Sequence, residues 1–172
     1  MELRGVLWGD FESLFAFRRS RYDAIERDPT YGMVSQPAPP TLPEFASWFG
    51  QLHREILERR TVCSLAVEDG KVVGMCSVRG EGTHRETRHV GALGLEVLEG
   101  YRRRGIGEEL LRHALECCRG VFEDVTLAVI PSNTGARRLY ERLGFVAYGV
   151  APRAFQRAGT YHDFVLMHRR LA

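Results

Sequence analysis

The residues best suited to chemistry in this chain lie in one basic, glycine-spaced segment, Arg102-Arg103-Arg104-Gly105-Ile106-Gly107-Glu108. An apolar extended run, residues 92–98, leads into it, and an amphipathic helical pattern follows it. A loop that opens into a helix presents unpaired backbone N–H groups at the positive end of the helix dipole, which favours a phosphate anion. Glycines lack a Cβ, so a ligand can approach the main chain closely. The segment therefore predicts a pyrophosphate-binding loop.

Spacing narrows the kind of pyrophosphate ligand. A Walker P-loop needs four residues between its glycines and then Gly-Lys-Ser/Thr, and no lysine or hydroxyl follows here. A dinucleotide fingerprint needs a third glycine, where this chain has Leu110. The order that remains is Arg102-x-x-Gly105-x-Gly107. Taken alone, this pattern also fits a glycine-rich turn capped by solvated arginines.

A second pattern lies downstream of the first. Residues 127–130 read as a buried strand, and Ser132 or Asn133 can cap the helix that follows. Gly144 is placed to end that helix. Its apolar positions recur at i, i+3, i+4 and i+7, and they are Ala136, Leu139, Tyr140 and Leu143.

The two patterns together resemble the two acetyl-CoA motifs of the GNAT superfamily of N-acetyltransferases. The first is similar to the family's Arg/Gln-x-x-Gly-x-Gly/Ala loop, and the second reads N-x-x-A-x-x-L-Y-x-x-L-G-F from Asn133 to Phe145. The resemblance implies that acetyl-CoA donates an acetyl group to a primary amine of a small molecule, amino acid or peptide N-terminus. Transfer would be by direct attack in a ternary complex. The alternative is a non-catalytic acyl-CoA-binding regulatory module with the same fold.

The resemblance also implies cofactor contacts at particular positions. In the family the fourth strand splays from the fifth, and pantetheine bonds to free backbone of the fourth, which here belongs to Leu95 and Val97. A main-chain N–H there would stabilise the oxyanion by donating a hydrogen bond to it. Asn133 matches a cofactor contact, with a simple N-cap as the alternative. The pyrophosphate contacts, mainly backbone N–H groups, carry over to Arg102, Arg103, Arg104, Gly105, Ile106, Gly107 and Glu108.

Two side chains are the candidate catalytic groups. Tyr140 matches the tyrosine that the family places near the CoA sulfur as general acid, although it could be an ordinary core tyrosine. Glu96 is a charged residue in an apolar strand, and it is our candidate general base by position and chemistry. The peptide N-terminus branch of the family often has a glutamate in the fifth strand, where this chain has Ala128. Alternatives for the base are water and three side chains: Glu86, His89 and His162.

Hydrophobic periodicity predicts the elements that must position these residues. The order is β-α-α-β-β-β-α-β-α-β-β. This order matches the GNAT fold, and the resemblance implies a single-domain α/β (α+β) fold with a mixed, mostly antiparallel sheet of about seven strands, splayed between strands 4 and 5, and about four helices. The predicted strands are residues 3–7, 61–68, 71–79, 87–98, 125–130, 145–150 and 161–169. The predicted helices run from a cap at Asp10 to about 25, and over about 43–60, 105–118 and 133–143. Loops are expected at residues 28–40, 80–86 and 151–160.

The acceptor pocket should be built from the first two helices, their connecting loop and the loop before the last strand. The residues in those places are aromatic and basic, which suits a small amine, an amino-acid-like molecule or a peptide end. They are Tyr22, Tyr31, Phe45, Trp48 and the stretch 153–162. For Phe45 and Trp48, helix packing is the alternative role.

Composition bounds the class of protein. A chain of 172 residues that is 44% hydrophobic and 27% charged fits one domain, 1–172. The net charge of +2 argues against a general nucleic-acid or membrane surface, and no apolar run approaches membrane-spanning length. The four cysteines lack the spacing of a zinc site, so no metal is expected. We interpret them as free thiols, which indicates a reducing, cytoplasmic location. A homodimer is compatible with these properties.

Overall fold

The structure is a computed structural model that describes residues 1–27, 38–81 and 84–171. Its helices and strands follow one another in the order that the sequence predicts. They are β1 (Glu2–Gly5), α1 (Phe11–Arg27), α2 (Leu42–Leu57), β2 (Thr61–Glu68), β3 (Lys71–Gly80), β4 (Val90–Val97), α3 (Ile106–Cys117), β5 (Asp124–Val129), α4 (Thr134–Arg142), β6 (Val146–Arg157) and β7 (Thr160–Arg170). Most of the loop expected at 28–40, including Tyr31, lies outside the described residues.

One sheet of seven strands carries the described part of the chain, in the order β1-β2-β3-β4-β5-β7-β6. Every neighbouring pair is antiparallel except β4 and β5, which run parallel. These two strands pair only from Val90 opposite Asp124 to Ala92 opposite Thr126. Both strands continue well past that point, so they diverge. The predicted splay between the fourth and fifth strands is confirmed.

Each face of the sheet carries a pair of helices over its own apolar cluster. The α3 and α4 side includes Leu110, Leu111, Tyr140 and Met167. The α1 and α2 side includes Leu14, Phe17, Phe45, Phe49 and Leu65. Strand alternation sends neighbouring residues of β4 to opposite faces, because Leu95 lies opposite Cys76 of the first cluster and Glu96 lies opposite Met75 of the second.

The largest difference from the sequence prediction is the final hairpin. Residues 151–160 were expected to form a loop, but β6 continues through them to Arg157, and a two-residue turn at Ala158 and Gly159 leads directly into β7. Both turn residues have positive φ, as a tight hairpin requires. The register shifts between Ala151 and Phe155, so Pro152 lies in a bulge, where a missing N–H is tolerated. Proline there signalled a loop, whereas it marks a bulged edge strand.

Smaller differences concern where elements begin. The fourth strand begins at Val90, because Arg85–Thr87 form a short 3-10 turn. Asp10 precedes α1 as predicted, but its carboxylate reaches backwards: Leu7 N donates to it at 2.8 Å and Arg4 donates twice at 2.7 Å. The Arg4 guanidinium holds the pKa of Asp10 below its usual range. Asp10 therefore joins β1 to the start of α1.

Candidate active site

The gap between β4 and β5 opens into a cleft of about 860 Å³. Its walls include the diverging parts of both strands, the loop before α3 and one side of α4. Both motifs that the sequence analysis singled out therefore border one space. Lining residues from the two motifs and β4 include Leu95, Glu96, Val97, Arg102, Arg103, Gly105, Gly107, Glu108, Asn133 and Tyr140.

The backbone of β4 turns hydrogen-bonding groups into this gap at Leu95 and Val97. Leu98 N donates to Val73 O of β3, at 2.9 Å. Because main-chain groups alternate along a strand, even-numbered residues of β4 face β3 here, and odd-numbered ones face the β5 side. Beyond Ala92 that side has no paired strand. An extended ligand could add to this free edge as a strand would.

The loop before α3 forms the concave anion site that the sequence predicts. Arg103 (φ 57°) and Gly105 (φ 82°) both have left-handed backbone, and α3 begins at Ile106. The first helical hydrogen bond runs from Glu108 N to Gly105 O, at 2.9 Å. The N–H groups of Ile106 and Gly107 precede that donor, so they lie at the positive end of the helix. Successive backbone N–H groups in such a turn make a nest for an anion.

The side chains of the loop mostly form hydrogen bonds and ion pairs within the protein. Arg102 Nε donates to Val97 O, at 3.1 Å, which ties the loop to the end of β4. Arg104 forms an ion pair with Glu68 at 2.9 Å. Glu108 bridges Arg112 and Arg142, each at 2.8 Å. The arginine cluster is therefore less available to a ligand than its sequence suggests: Arg103 and Arg104 are both exposed, but Arg104 is held by Glu68.

Gly105 and Gly107 have different requirements. Gly105 needs glycine for its positive φ, although a Cβ there would meet nothing within 4 Å. Gly107 has ordinary helical backbone, and a Cβ would lie 3.7–3.9 Å from Val97, Leu139 and Leu95. Alanine would fit there, whereas a branched side chain would project further among these cleft-lining groups. This agrees with the Gly/Ala alternative in the family's pattern.

Asn133 caps α4, because its side chain accepts a hydrogen bond from Ala136 N, at 3.2 Å. The N-cap role considered from the sequence is thus confirmed. The residue also lines the cleft, so its second predicted role as a cofactor contact stays a prediction that the geometry permits.

Tyr140 lies near the end of α4 and is 7% exposed. Its ring packs edge-on against Phe145, with centroids 5.8 Å apart, and it also lines the cleft. Among the described residues, its hydroxyl has no hydrogen-bond partner. Burial raises the pKa of the phenol, and the charge of Glu96 raises it further. Tyr140 is therefore a packed core ring that also borders the cleft, and its role as general acid stays a prediction.

Glu96 occupies the opposite side of β4, facing α1. Its Oε1 accepts from Arg21 at 2.6 Å, while its Oε2 is buried and has no hydrogen-bond partner in the described part of the chain. Burial raises the pKa of Glu96, an effect that Arg21 and Arg18 oppose. A carboxylate with one free, buried oxygen at the edge of the cleft has the properties of a proton acceptor.

The other candidate bases are less well placed. Glu86 and His89 are exposed and do not line the cleft, and His162 stacks on Phe155, with ring centroids 4.9 Å apart. Of the predicted acceptor pocket, Phe45 is buried in the α1–α2 core, as the packing alternative anticipated. Tyr22 and Trp48 are half-buried on the α1 and α2 side of the sheet.

The sequence analysis missed four polar residues near this site. Glu81, at the end of β3, and Thr126, on β5, both line the cleft, and Thr126 Oγ1 is buried without a partner in the described structure. Neither stands in a motif, so only the sheet register reveals them. Arg18 and Arg21 could have been found, because they follow Leu14 and Phe17 at helical spacing on the core-facing side of α1.

In the parts of the chain that the structure describes, no group of three His, Cys, Asp or Glu residues is arranged to hold a metal ion. Nor does any described helix have the length and apolar character needed to cross a membrane.

Known proteins resemble this chain both in sequence and in fold. The model of the acetyltransferase (GNAT) family matches residues 20–145. The chain is 41% identical over 88 residues to N-alpha-acetyltransferase MAK3 of Arabidopsis thaliana, covering 49% of this chain and 45% of that protein. It is 31% identical over 102 residues to N-alpha-acetyltransferase 50 of Danio rerio, covering 58% and 60%. The match thus spans less than two thirds of each relative.

Two solved structures share the fold over nearly the whole chain. The ribosomal-protein-alanine N-acetyltransferase of Brucella melitensis superposes with a TM-score of 0.85 at 22% identity, covering 99% of this chain and all of that one. The phosphinothricin acetyltransferase of Sinorhizobium meliloti, in complex with acetyl-CoA, has a TM-score of 0.81 at 19% identity, covering 99% and 88%.

Proposed function

The chain belongs to the GNAT family of acetyltransferases, and from this premise we propose that it transfers the acetyl group of acetyl-CoA to a primary amine. The observation that carries the proposal is the diverging pair β4 and β5, because it leaves a free strand edge at Leu95 and Val97 that ends at the anion nest before α3. We propose that residues 1–172 act as a single acetyltransferase domain.

The residues present fit acetyl-CoA along the whole cleft. The nest around Gly105 suits a pyrophosphate, and the free edge of β4 suits the amides of pantetheine. The Val97 carbonyl already accepts from Arg102, so we assign the ligand contacts to the N–H of Val97 and to both main-chain groups of Leu95. Asn133 and Tyr140 would border the sulfur end.

Acetyl-CoA supplies an acetyl thioester: a bond forms from the acceptor nitrogen to the acetyl carbon, the C–S bond breaks, the amine loses a proton and the thiolate gains one. The chain's residues handle these protons. Only about one alkylammonium in 2,500 is free base at pH 7, because its pKa is ~10.4. We propose that Glu96 Oε2 accepts that proton, directly or through water, and that the Tyr140 hydroxyl donates towards the leaving sulfur.

For the acceptor, we propose a peptide N-terminus as the leading class. Two relatives that cover about half of this chain are N-alpha-acetyltransferases by name, and a structural neighbour acts on a ribosomal protein by name. A free amino acid or another small amine is the second class, since β5 has Ala128, where the peptide branch often has a glutamate.

A turnover screen tests the proposal. The protein is incubated with acetyl-CoA and a panel of peptides, amino acids and simple amines, and free thiol is measured with mass analysis of the acceptor. We expect thiol release that depends on one acceptor class and is lost in Tyr140→Phe plus Glu96→Gln. Tight acetyl-CoA binding without turnover on any acceptor would instead support the non-catalytic acyl-CoA-binding module.

A further inference from the structure

Helix α1 directs two arginines towards the sheet. Leu14, Phe17 and Ala24 are buried on its inner side, and Arg18 and Arg21 fall on the same stripe at i+4 and i+7 from Leu14. Charged side chains rarely occupy core-facing positions unless a partner compensates them. The partners of Arg18 and Arg21 therefore indicate which kind of group could bind on the sheet-facing side of α1.

Arg21 has such a partner, whereas Arg18 has none in the part of the chain that the structure describes. Arg21 forms the 2.6 Å ion pair with Glu96. The Arg18 guanidinium lies over the Trp48 ring, 4.0 Å from its centroid, and within the described residues it has no carboxylate within 4.0 Å and no hydrogen bond. It is half-buried, and burial lowers its pKa, although an arginine stays charged at any working pH.

The charges around Arg18 do not balance. Glu96 and Arg79 are close enough to influence it, but Glu96 is already paired with Arg21, and Arg79 is paired with Glu55 at 3.0 Å. Among the residues that the structure describes, these three guanidiniums thus share two carboxylates on the α1 and α2 side of the sheet. The surplus is one positive charge, carried by a guanidinium that lies over the Trp48 ring. Such a guanidinium fork matches a carboxylate in a bidentate geometry.

We propose that Arg18 binds a carboxylate of the acceptor, so that the enzyme prefers amines carrying an acidic group a few bonds from the nitrogen. This inference rests on the proposed acetyltransferase function and specifies its substrate class. Glu96 Oε2 would face the amine while Arg18 holds the acid. The carboxylate could be the α-carboxylate of a free amino acid or the side chain of an acidic first residue in a peptide.

Binding can be measured without turnover, because Trp48 reports on Arg18. The chain has two tryptophans, so Trp8→Phe leaves Trp48 as the sole indole. In that background we expect saturable fluorescence changes on titration with L-alanine or with a peptide amide beginning Glu-Ala. L-alaninamide and the Gln-Ala peptide amide are the matched neutral probes. Whichever acidic probe saturates identifies the source of the carboxylate.

Kinetics provide the second measurement, on acceptors that the screen finds. Arg18→Gln should raise KM for carboxylate-bearing acceptors roughly 10- to 100-fold, as expected for losing a charge-assisted hydrogen bond, and leave KM for their neutral analogues unchanged. Arg18→Lys keeps the charge without the fork and should fall between. Arg19→Gln is the control, since Arg19 is exposed and donates to Pro40 O instead.

The outcomes separate this inference from the function on which it rests. No turnover on any amine would contradict the acetyltransferase function, whereas saturable binding of the acidic probes would still support the Arg18 site. Turnover with equal KM for acidic and neutral acceptors, or probe binding that survives Arg18→Gln, would overturn the carboxylate assignment alone.

Discussion

Arg21 of α1 and Glu96 of β4 form a 2.6 Å ion pair beside the gap between the two diverging strands. The pair fixes one carboxylate oxygen and leaves the other buried and unpartnered in the described structure. A glutamate held in this way has a defined orientation, and its pKa reflects two opposing effects: burial raises it and the arginines lower it. The ion pair thus links α1 to the strand that borders the cleft.

Glu96→Gln tests whether this carboxylate accepts the proton of the amine. We expect kcat/KM to fall by about 10²-fold or more. Because the net effect raises the pKa of Glu96, parent activity should decline as pH falls through a value above ~4.5, and the variant should lack that acidic limb. Glu116→Gln, on an exposed part of α3, is the control. A variant that keeps the parental pH profile would show that Glu96 only positions Arg21.

Acetyl-CoA should stabilise the folded protein. The nest and the free edge of β4 exist only in the native state, so a ligand at 100 times its Kd adds ~2.7 kcal/mol to the free energy of unfolding. Thermal melts with acetyl-CoA, CoA, NADH and ATP measure the selectivity. A larger rise in Tm with another nucleotide, or none with CoA, would contradict the cofactor assignment.

The two glycines of the loop should respond differently to substitution. Gly105→Ala places a side chain on left-handed backbone, which costs about 1–2 kcal/mol of stability, whereas Gly107→Ala has room for its Cβ and should be nearly neutral. Gly107→Val should raise the Kd of acetyl-CoA more than Arg103→Ala does, because an exposed arginine contributes mainly a screened charge. Chemical denaturation and calorimetry measure both effects. Equal losses of affinity for Gly107→Val and Arg103→Ala would indicate that side-chain charge dominates.

The two motifs allowed the fold and the cofactor cleft to be predicted, because each motif is local: a few consecutive residues define a turn, a cap and a helix face. The partners of Arg102 and Arg104, and the pairing of Glu108 with Arg142, were beyond the sequence, since these partners lie on other strands and helices. The continuation of β6 through Pro152 was also not predictable from the sequence, because a bulge depends on the register with β7. Glu81 and Thr126 reach the cleft only through pairing across the sheet.

Asp10 should make stability depend on pH at acidic values. Arg4 lowers the pKa of this carboxyl, so the ionised carboxylate is more stable in the folded state than in the unfolded one. The stabilisation is present above the unfolded pKa of ~3.9 and is lost as pH falls through the lower folded value. Asp10→Asn should cost about 1.5–3 kcal/mol at pH 7. Urea unfolding at pH 7 and pH 3 measures this, and a cost that stays constant between them would contradict the ion-pair origin.

Tyr140→Phe should lower kcat while leaving the Kd of acetyl-CoA nearly unchanged. The ring keeps its packing against Phe145, and only the hydroxyl is lost. General acid catalysis typically raises the rate by about 10²–10⁴-fold. We expect the low end, because a thiol leaving group has a pKa near ~8.5 and burial raises the phenol pKa further away from it.

The pH dependence separates the two roles of this tyrosine. The deficit should shrink as pH rises towards the thiol pKa, since the thiolate then needs less help to leave. Steady-state rates of both proteins over pH 6–10, with acetyl-CoA binding measured by calorimetry, provide the comparison. Phe145→Leu serves as a packing control, because it loosens the same contact while retaining the hydroxyl. If Tyr140→Phe matches the parent rate at every pH, Tyr140 is a core residue and water must carry the proton to the sulfur.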